Sequence, residues 1–264
     1  MIIGQDKLIR FIDKQTLSTL PRTIMLEGQS GSGRHLLCQY ISEKFNLKIE
    51  DISDNLTYEL IENINLRVEP YLYIIDSSKI TVKNENAILK FLEEPLKNAF
   101  IVILTENQYN QIETIRNRCY LLTMSVYSTD TLKQFINNEK DMDFILMICK
   151  TPGDVIKLQS HPLENIITLC EKILNKINIA SFANMLTLSN NIAFKNEKDK
   201  YDFLIFFRVL LYVAKVQVIN QYPKCIQTYN LTNEFYNRTK IRNVDMKMLF
   251  ENYLFELKRL KSQQ

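Results

Sequence analysis

The residues most able to do chemistry begin at Gly28-Gln29-Ser30-Gly31-Ser32-Gly33-Arg34-His35. Their spacing is that of the phosphate-binding loop G-x-x-x-x-G-K-[ST], which aims backbone N–H groups and a helix N-terminus at phosphates. Both side chains that such a loop uses are replaced. Arg34 stands where a lysine reaches the β- and γ-phosphates, and its planar fork is wide for a slot built around a point charge. His35 stands where a hydroxyl holds Mg²⁺. Further on, Asp76 ends the run Ile74-Ile75-Asp76-Ser77 at the position of a Mg²⁺-positioning carboxylate. Ser77 then takes the place of the glutamate that polarises the attacking water, and a serine hydroxyl is a poor general base. Three parts of hydrolysis are altered together. A loop descended from a nucleotide site and kept for its shape is therefore expected, rather than a working ATP site.

Other polar residues carry less. His35 and His161 are too isolated to form a catalytic pair, and Ser30 and Ser32 have no visible base. Glu93 and Glu94 are helix neighbours that do not face each other. The five cysteines, Cys38, Cys119, Cys149, Cys170 and Cys225, are far apart, with no metal-ligand or redox-pair spacing. They read as reduced, mostly buried thiols, and no zinc site is expected.

The elements that position these residues follow from periodicity. A helix is expected over 7–20, closed by Pro21, and then a buried strand at Thr23–Glu27. The glycine loop follows, and after it Leu36, Leu37, Tyr40, Ile41 and Phe45 repeat at helical spacing. Leu47–Ile52 is a weaker strand and Thr57–Asn65 a short helix. Tyr71–Ile75 and Phe100–Leu104 are continuous apolar runs, with a helix over 84–94 between them. A helical stretch reaches Arg116, and Cys119–Met124 is one more strand. Apolar runs without alternation suit strands covered on both faces, so the first half reads as a parallel α/β sheet. After about residue 125 the strand signals fade, and 129–137, 142–148, 163–177, 201–221 and 245–260 have helical spacing.

Composition agrees with this division. Hydrophobic residues make up 46% and charged residues 24%, which fits a globular chain and argues against disorder. With only 5 glycines and 6 prolines, the composition argues against a sandwich or barrel of many hairpins and fits long helices better. The net charge is +3, with 13 Lys+Arg against 7 Asp+Glu in residues 195–264. That excess is modest, and it lacks the dense basic stripe of an autonomous DNA-binding module, although Lys83, Lys90 and the C-terminal lysines could meet phosphate in an assembly. No apolar run approaches the ~18 residues that span a bilayer, and the N-terminus lacks a secretory pattern.

Three blocks carry a resemblance. Asn86-Ala-Ile-Leu-Lys-Phe-Leu-Glu-Glu-Pro95 resembles the N-A-L-L-K-x-L-E-E-P segment of clamp loader AAA+ proteins. Phe100–Asn107 is similar to that family's strand with its sensor-1 residue, and Thr114-Ile-Arg-Asn-Arg-Cys119 to its T-I-x-S-R-C motif, with Asn117 in place of Ser. Ile3-Gly4-Gln5 matches the family's N-terminal segment, and Pro152-Gly-Asp154 is a fainter echo. A degraded phosphate loop together with a retained arginine motif resembles the delta-prime branch of the bacterial DNA polymerase III clamp loader.

The resemblance implies an AAA+ α/β core with a degenerate Walker A loop over 1–125, a small helical lid over 126–162 and an all-α collar that oligomerises over 163–264. It implies that Arg118 is an arginine finger acting in trans on the ATP of an adjacent motor subunit. Gly28, Gly31, Gly33, Arg34, His35, Asp76 and Thr105 would form the degenerate nucleotide site, with Thr105 at sensor 1. Ile156 falls where relatives carry the sensor-2 arginine and cannot contact a phosphate. No metal and no cofactor of the chain's own are expected, ATP being bound by partners. Those partners would be gamma/tau-type motor subunits and a delta subunit of a cytoplasmic hetero-oligomer that loads a sliding clamp on primer-template DNA, without a membrane. The alternative is a self-sufficient AAA+ ATPase of DNA replication or repair. The cysteine-rich zinc module of many delta-prime proteins is missing, since 36–70 contain only Cys38, and the resemblance to a longer family implies a trimmed lid and collar.

Overall fold

Five apolar runs form strands: β1 (Thr23–Glu27), β2 (Lys48–Asp51), β3 (Tyr71–Asp76), β4 (Ala99–Thr105) and β5 (Tyr120–Thr123). The computed structural model describes residues 2–93, 98–138, 142–160, 163–191, 197–221, 225–239, 241 and 244–262. Glu94, Pro95 and His161 lie outside the described residues, as does the side chain of Lys83. The strands pair in parallel in the order β2-β3-β4-β1-β5. All seven residues of β4 are buried, as a central strand covered on both faces requires.

Alternate side chains of each strand feed two cores. Ile24, Leu26, Leu72, Ile74, Phe100, Val102 and Leu104 face α1 (Asp6–Asp13) and α2 (Arg34–Phe45). Met25, Tyr73, Ile75, Ile101 and Ile103 face α3 (Tyr58–Asn65), α4 (Val82–Glu93) and α5 (Glu113–Arg116). Since β3, β4 and β1 are neighbours, the segments leaving their carboxyl ends converge on one rim, the usual place for a ligand in such sheets.

The first helix is shorter than its periodicity predicts. It stops at Asp13, because Thr16 donates its N–H to Thr19 Oγ1 at 2.8 Å and its hydroxyl bonds Ser18 and Thr19. Clustered hydroxyls offer the backbone an alternative to helical bonding. The helix predicted over 129–137 likewise contracts to α6 (Thr129–Lys133).

The chain divides into two compact units: Met1–Phe135 with Lys150–Gly153, and Ile136–Cys149 with Asp154–Gln264. The second holds α7 (Met142–Ile148), most of α8 (Pro152–Gln159), α9 (Leu163–Lys176), α10 (Phe182–Asn191), α11 (Glu197–Gln221), α12 (Ile226–Arg238) and α13 (Met246–Ser262). Its core joins Phe203, Phe206 and Phe207 of α11 to Phe250 and Tyr253 of α13 through edge-to-face contacts of 5.4–5.9 Å. By mean hydropathy, 1.7, Phe203–Asn220 is long and apolar enough to cross a membrane, which corrects the expectation that no stretch approaches that length. Phe203, Phe207, Val209, Leu210 and Ala214 within it are buried in the helical core, so its apolar side is already covered.

Periodicity alone misses α8, α10 and α12. In α12 the buried positions include Thr228 and Thr232 beside Phe235, so hydroxyls stand where periodicity looks for hydrocarbons. Thr232 satisfies its hydroxyl on Thr228 O at 2.7 Å and on Tyr253 Oη at 3.0 Å.

Candidate functional site

The glycine loop links β1 to α2 with Gly31 and Gly33 at φ +76° and +89°, in the left-handed region that favours glycine. Its base is tied to the sheet by Gly28 N–H donating to Thr105 O at 2.9 Å. Three consecutive loop carbonyls are gripped by donors from elsewhere in the first unit. Ser30 O accepts from Thr151 Oγ1 at 3.1 Å, Gly31 O from Gly153 N at 3.0 Å and Ser32 O from Tyr127 Oη at 2.6 Å. Tyr127 is held over the loop because its ring also lies against Gly4, where a Cβ would come within 3.2 Å. Burial raises the Tyr127 pKa, and a hydrogen bond with Gln5 opposes that shift. Gln5 itself is fully buried, its amide bonding Ser125 O at 3.0 Å and Ser125 N at 2.7 Å.

The loop is therefore anchored through its carbonyls. Gly153 has no room for a side chain: a Cβ would stand 2.6 Å from Gly31 Cα. Gly153→Ala is expected to destabilise the chain by about 1–3 kcal/mol, the cost of forcing extra volume into a packed contact. The midpoint of urea unfolding measures this.

Arg34 projects from the first turn of α2 and makes no hydrogen bond among the described residues. Burial lowers its pKa, while the carboxylates of Glu106 and Asp76 and the Cys38 thiol push it back up. The guanidinium stays charged and lies within electrostatic reach of the Glu106 and Asp76 carboxylates. Asp76 is already engaged: its Oδ1 accepts from Ser78 N at 2.9 Å and Ser78 Oγ at 2.8 Å, and its N–H donates to Ser53 Oγ at 2.8 Å. Thr105 is buried and its hydroxyl closes a turn, donating to Asn107 O at 2.9 Å. His35 is exposed at the loop's end. The seven predicted site residues thus gather at the carboxyl rim of β1, β3 and β4, and no group of three or more metal-ligating side chains occurs among the described residues.

Arg118 lies elsewhere. It follows α5 and precedes β5, and its carbonyl accepts from Thr23 Oγ1 at 2.6 Å, at the amino end of β1. Its side chain is 37% exposed, with Nη1 donating to Thr114 O at 2.8 Å and Nη2 to Glu93 Oε1 at 2.6 Å. Cys119 beside it is a half-buried thiol whose pKa burial raises to about 12, so it is inert packing. The Glu93 partner was legible in the L-E-E-P segment only as a helix end. Nothing in the sequence marked Tyr127 or Thr151 as loop anchors.

A parallel sheet in this strand order, a glycine loop leaving β1 and a following helical unit make an AAA+-like fold. Residues 37–128 match the family described as DNA polymerase III, delta subunit. The DNA polymerase III subunit delta' of Bacillus subtilis is 34% identical over 77 residues, 29% of this chain but only 23% of that protein, so the match spans under a quarter of the relative's length. The family resemblance stated from Asn86–Pro95, Phe100–Asn107 and Thr114–Cys119 is borne out. Among solved structures, a DNA polymerase III gamma subunit-related protein of Thermotoga maritima has a TM-score of 0.51 at 18% identity, covering 97% of this chain and 99% of that one. A point mutant of Thermotoga maritima RuvB gives 0.51 at 17% identity, over 64% of this chain and 65% of its own. At those identities the two structures speak for the fold alone.

Proposed function

We propose that this chain is a non-hydrolysing, delta-prime-like subunit of a replicative clamp loader. In this reading Arg118 is lent to the ATP site of a neighbouring gamma/tau-type motor subunit in a cytoplasmic hetero-oligomer that also contains a delta subunit. The assembly, and not this chain alone, meets the sliding clamp and primer-template DNA. The 126–162 and 163–264 segments serve as lid and collar.

One observation carries the reading. Arg118 stands at the amino end of β1 and the glycine loop leaves its carboxyl end. Five residues of strand separate the two by about 13 Å, so Arg118 cannot serve its own loop, and any triphosphate it meets belongs to another molecule. Arg34, His35 and Ser77 in the places of lysine, hydroxyl and glutamate support the absence of hydrolysis here.

The test is a titration of labelled ATP onto the full chain with and without Mg²⁺, beside a reconstitution with motor subunits. No Mg²⁺-dependent binding in the micromolar range is expected, and the chain should raise the DNA-dependent ATPase of the motors. Tight Mg²⁺-dependent binding by the chain alone would replace this reading with a self-sufficient AAA+ ATPase.

A further inference from the structure

We propose that Glu93 is a latch on Arg118: it holds the guanidinium in a parked, charge-neutralised position that must open before the arginine reaches a neighbour's phosphate. The proposal rests on the finger reading of Arg118 above. Both terminal nitrogens of the guanidinium are occupied within the chain, one by Glu93 Oε1 at 2.6 Å and the other by Thr114 O at 2.8 Å. A carboxylate and a phosphate compete for the same fork of donors, so the two partners exclude each other.

The position of Glu93 argues that its carboxylate is there for Arg118 and not for its own helix. It is the last described residue of α4, and a negative charge in the last turn of a helix opposes the macrodipole. Glu93 also lines an open cavity of about 190 Å³ with Arg22, Thr23, Phe91, Leu92 and Ile101, which leaves space beside the carboxylate for it to swing away. The pair is exposed, 37% for Arg118 and 52% for Glu93, so the latch is weak enough to release. Exposed pairs are worth up to about 1 kcal/mol, equivalent to about fivefold in a rate.

Glu93 is therefore a positioning residue, and its removal should help the finger. The test compares wild type, Glu93→Gln, Arg118→Ala and the double variant in the reconstituted motor ATPase, with thermal melting of each full chain as a folding control. Expected for Glu93→Gln is a two- to fivefold rise in the motor's kcat with KM for ATP unchanged, and no change when it is added to Arg118→Ala. A merely structural Glu93 would act equally on both backgrounds. If Arg118→Ala removes the stimulation while Glu93→Gln leaves kcat unchanged or lowers it, the latch is wrong and the finger stands. If Arg118→Ala leaves the stimulation intact, the finger reading falls, and the latch with it.

Discussion

Arg118→Ala is expected to lower the stimulated ATPase of the neighbouring motor by about 10³-fold or more, the range over which a guanidinium donated in trans acts on a transferring phosphoryl group. The fold should hardly respond. The side chain is exposed, its ion pair with Glu93 is a surface pair worth at most about 1 kcal/mol, and the bond from Thr23 Oγ1 goes to the residue's carbonyl, which the substitution keeps. Arg118→Lys separates charge from shape: a point charge cannot grip two phosphate oxygens as a fork does, so only part of the rate should return. Steady-state ATPase of the reconstituted assembly, with melting temperatures of each variant, checks both. A variant that melts normally and stimulates normally would remove the central support for the proposed function.

The second large effect is on stability. Asp154, only 1% exposed, accepts from Arg208 Nη1 at 2.5 Å inside the helical unit, and Arg208 Nε also donates to Tyr236 Oη at 3.3 Å. Burial works against the charge on Arg208, and Asp154 and Tyr236 more than offset it, raising its pKa. Asp154→Ala leaves that guanidinium buried without its carboxylate, a change that typically costs about 3–5 kcal/mol. Replacing both partners, Asp154→Ala with Arg208→Met, should recover most of the loss, since an apolar pair carries no desolvation penalty. Urea unfolding of the full chain distinguishes the two outcomes by a shift in midpoint that the double variant largely reverses.

The sheet was legible because its strands are buried on both faces, so Tyr71–Ile75 and Phe100–Leu104 read as unbroken apolar runs ending at Asp76 and Thr105. The glycine loop was legible from spacing, and its neighbours in space, Asp76 and Thr105, from the strand ends. What periodicity could not reveal depends on polar atoms. Tyr127, Thr151 and Gly153 grip the loop through hydroxyls and one N–H, and such bonds leave no spacing pattern. The end of α1 was overrun because the apolar repeat continues past the point where hydroxyls break the helix. Arg208 lies within an apolar helix, and its purpose emerges only with Asp154, 54 positions earlier.

The hydroxyl contact between Thr232 and Tyr253 sets how α12 seats against α13. Hydrocarbon faces tolerate a slip by one turn, because one aliphatic surface resembles the next. A directional bond in a dry interior does not, since any slipped pairing would leave Tyr253 Oη stranded away from water. These two helices therefore have one admissible alignment, chosen by a pair of oxygens more than by the surrounding rings.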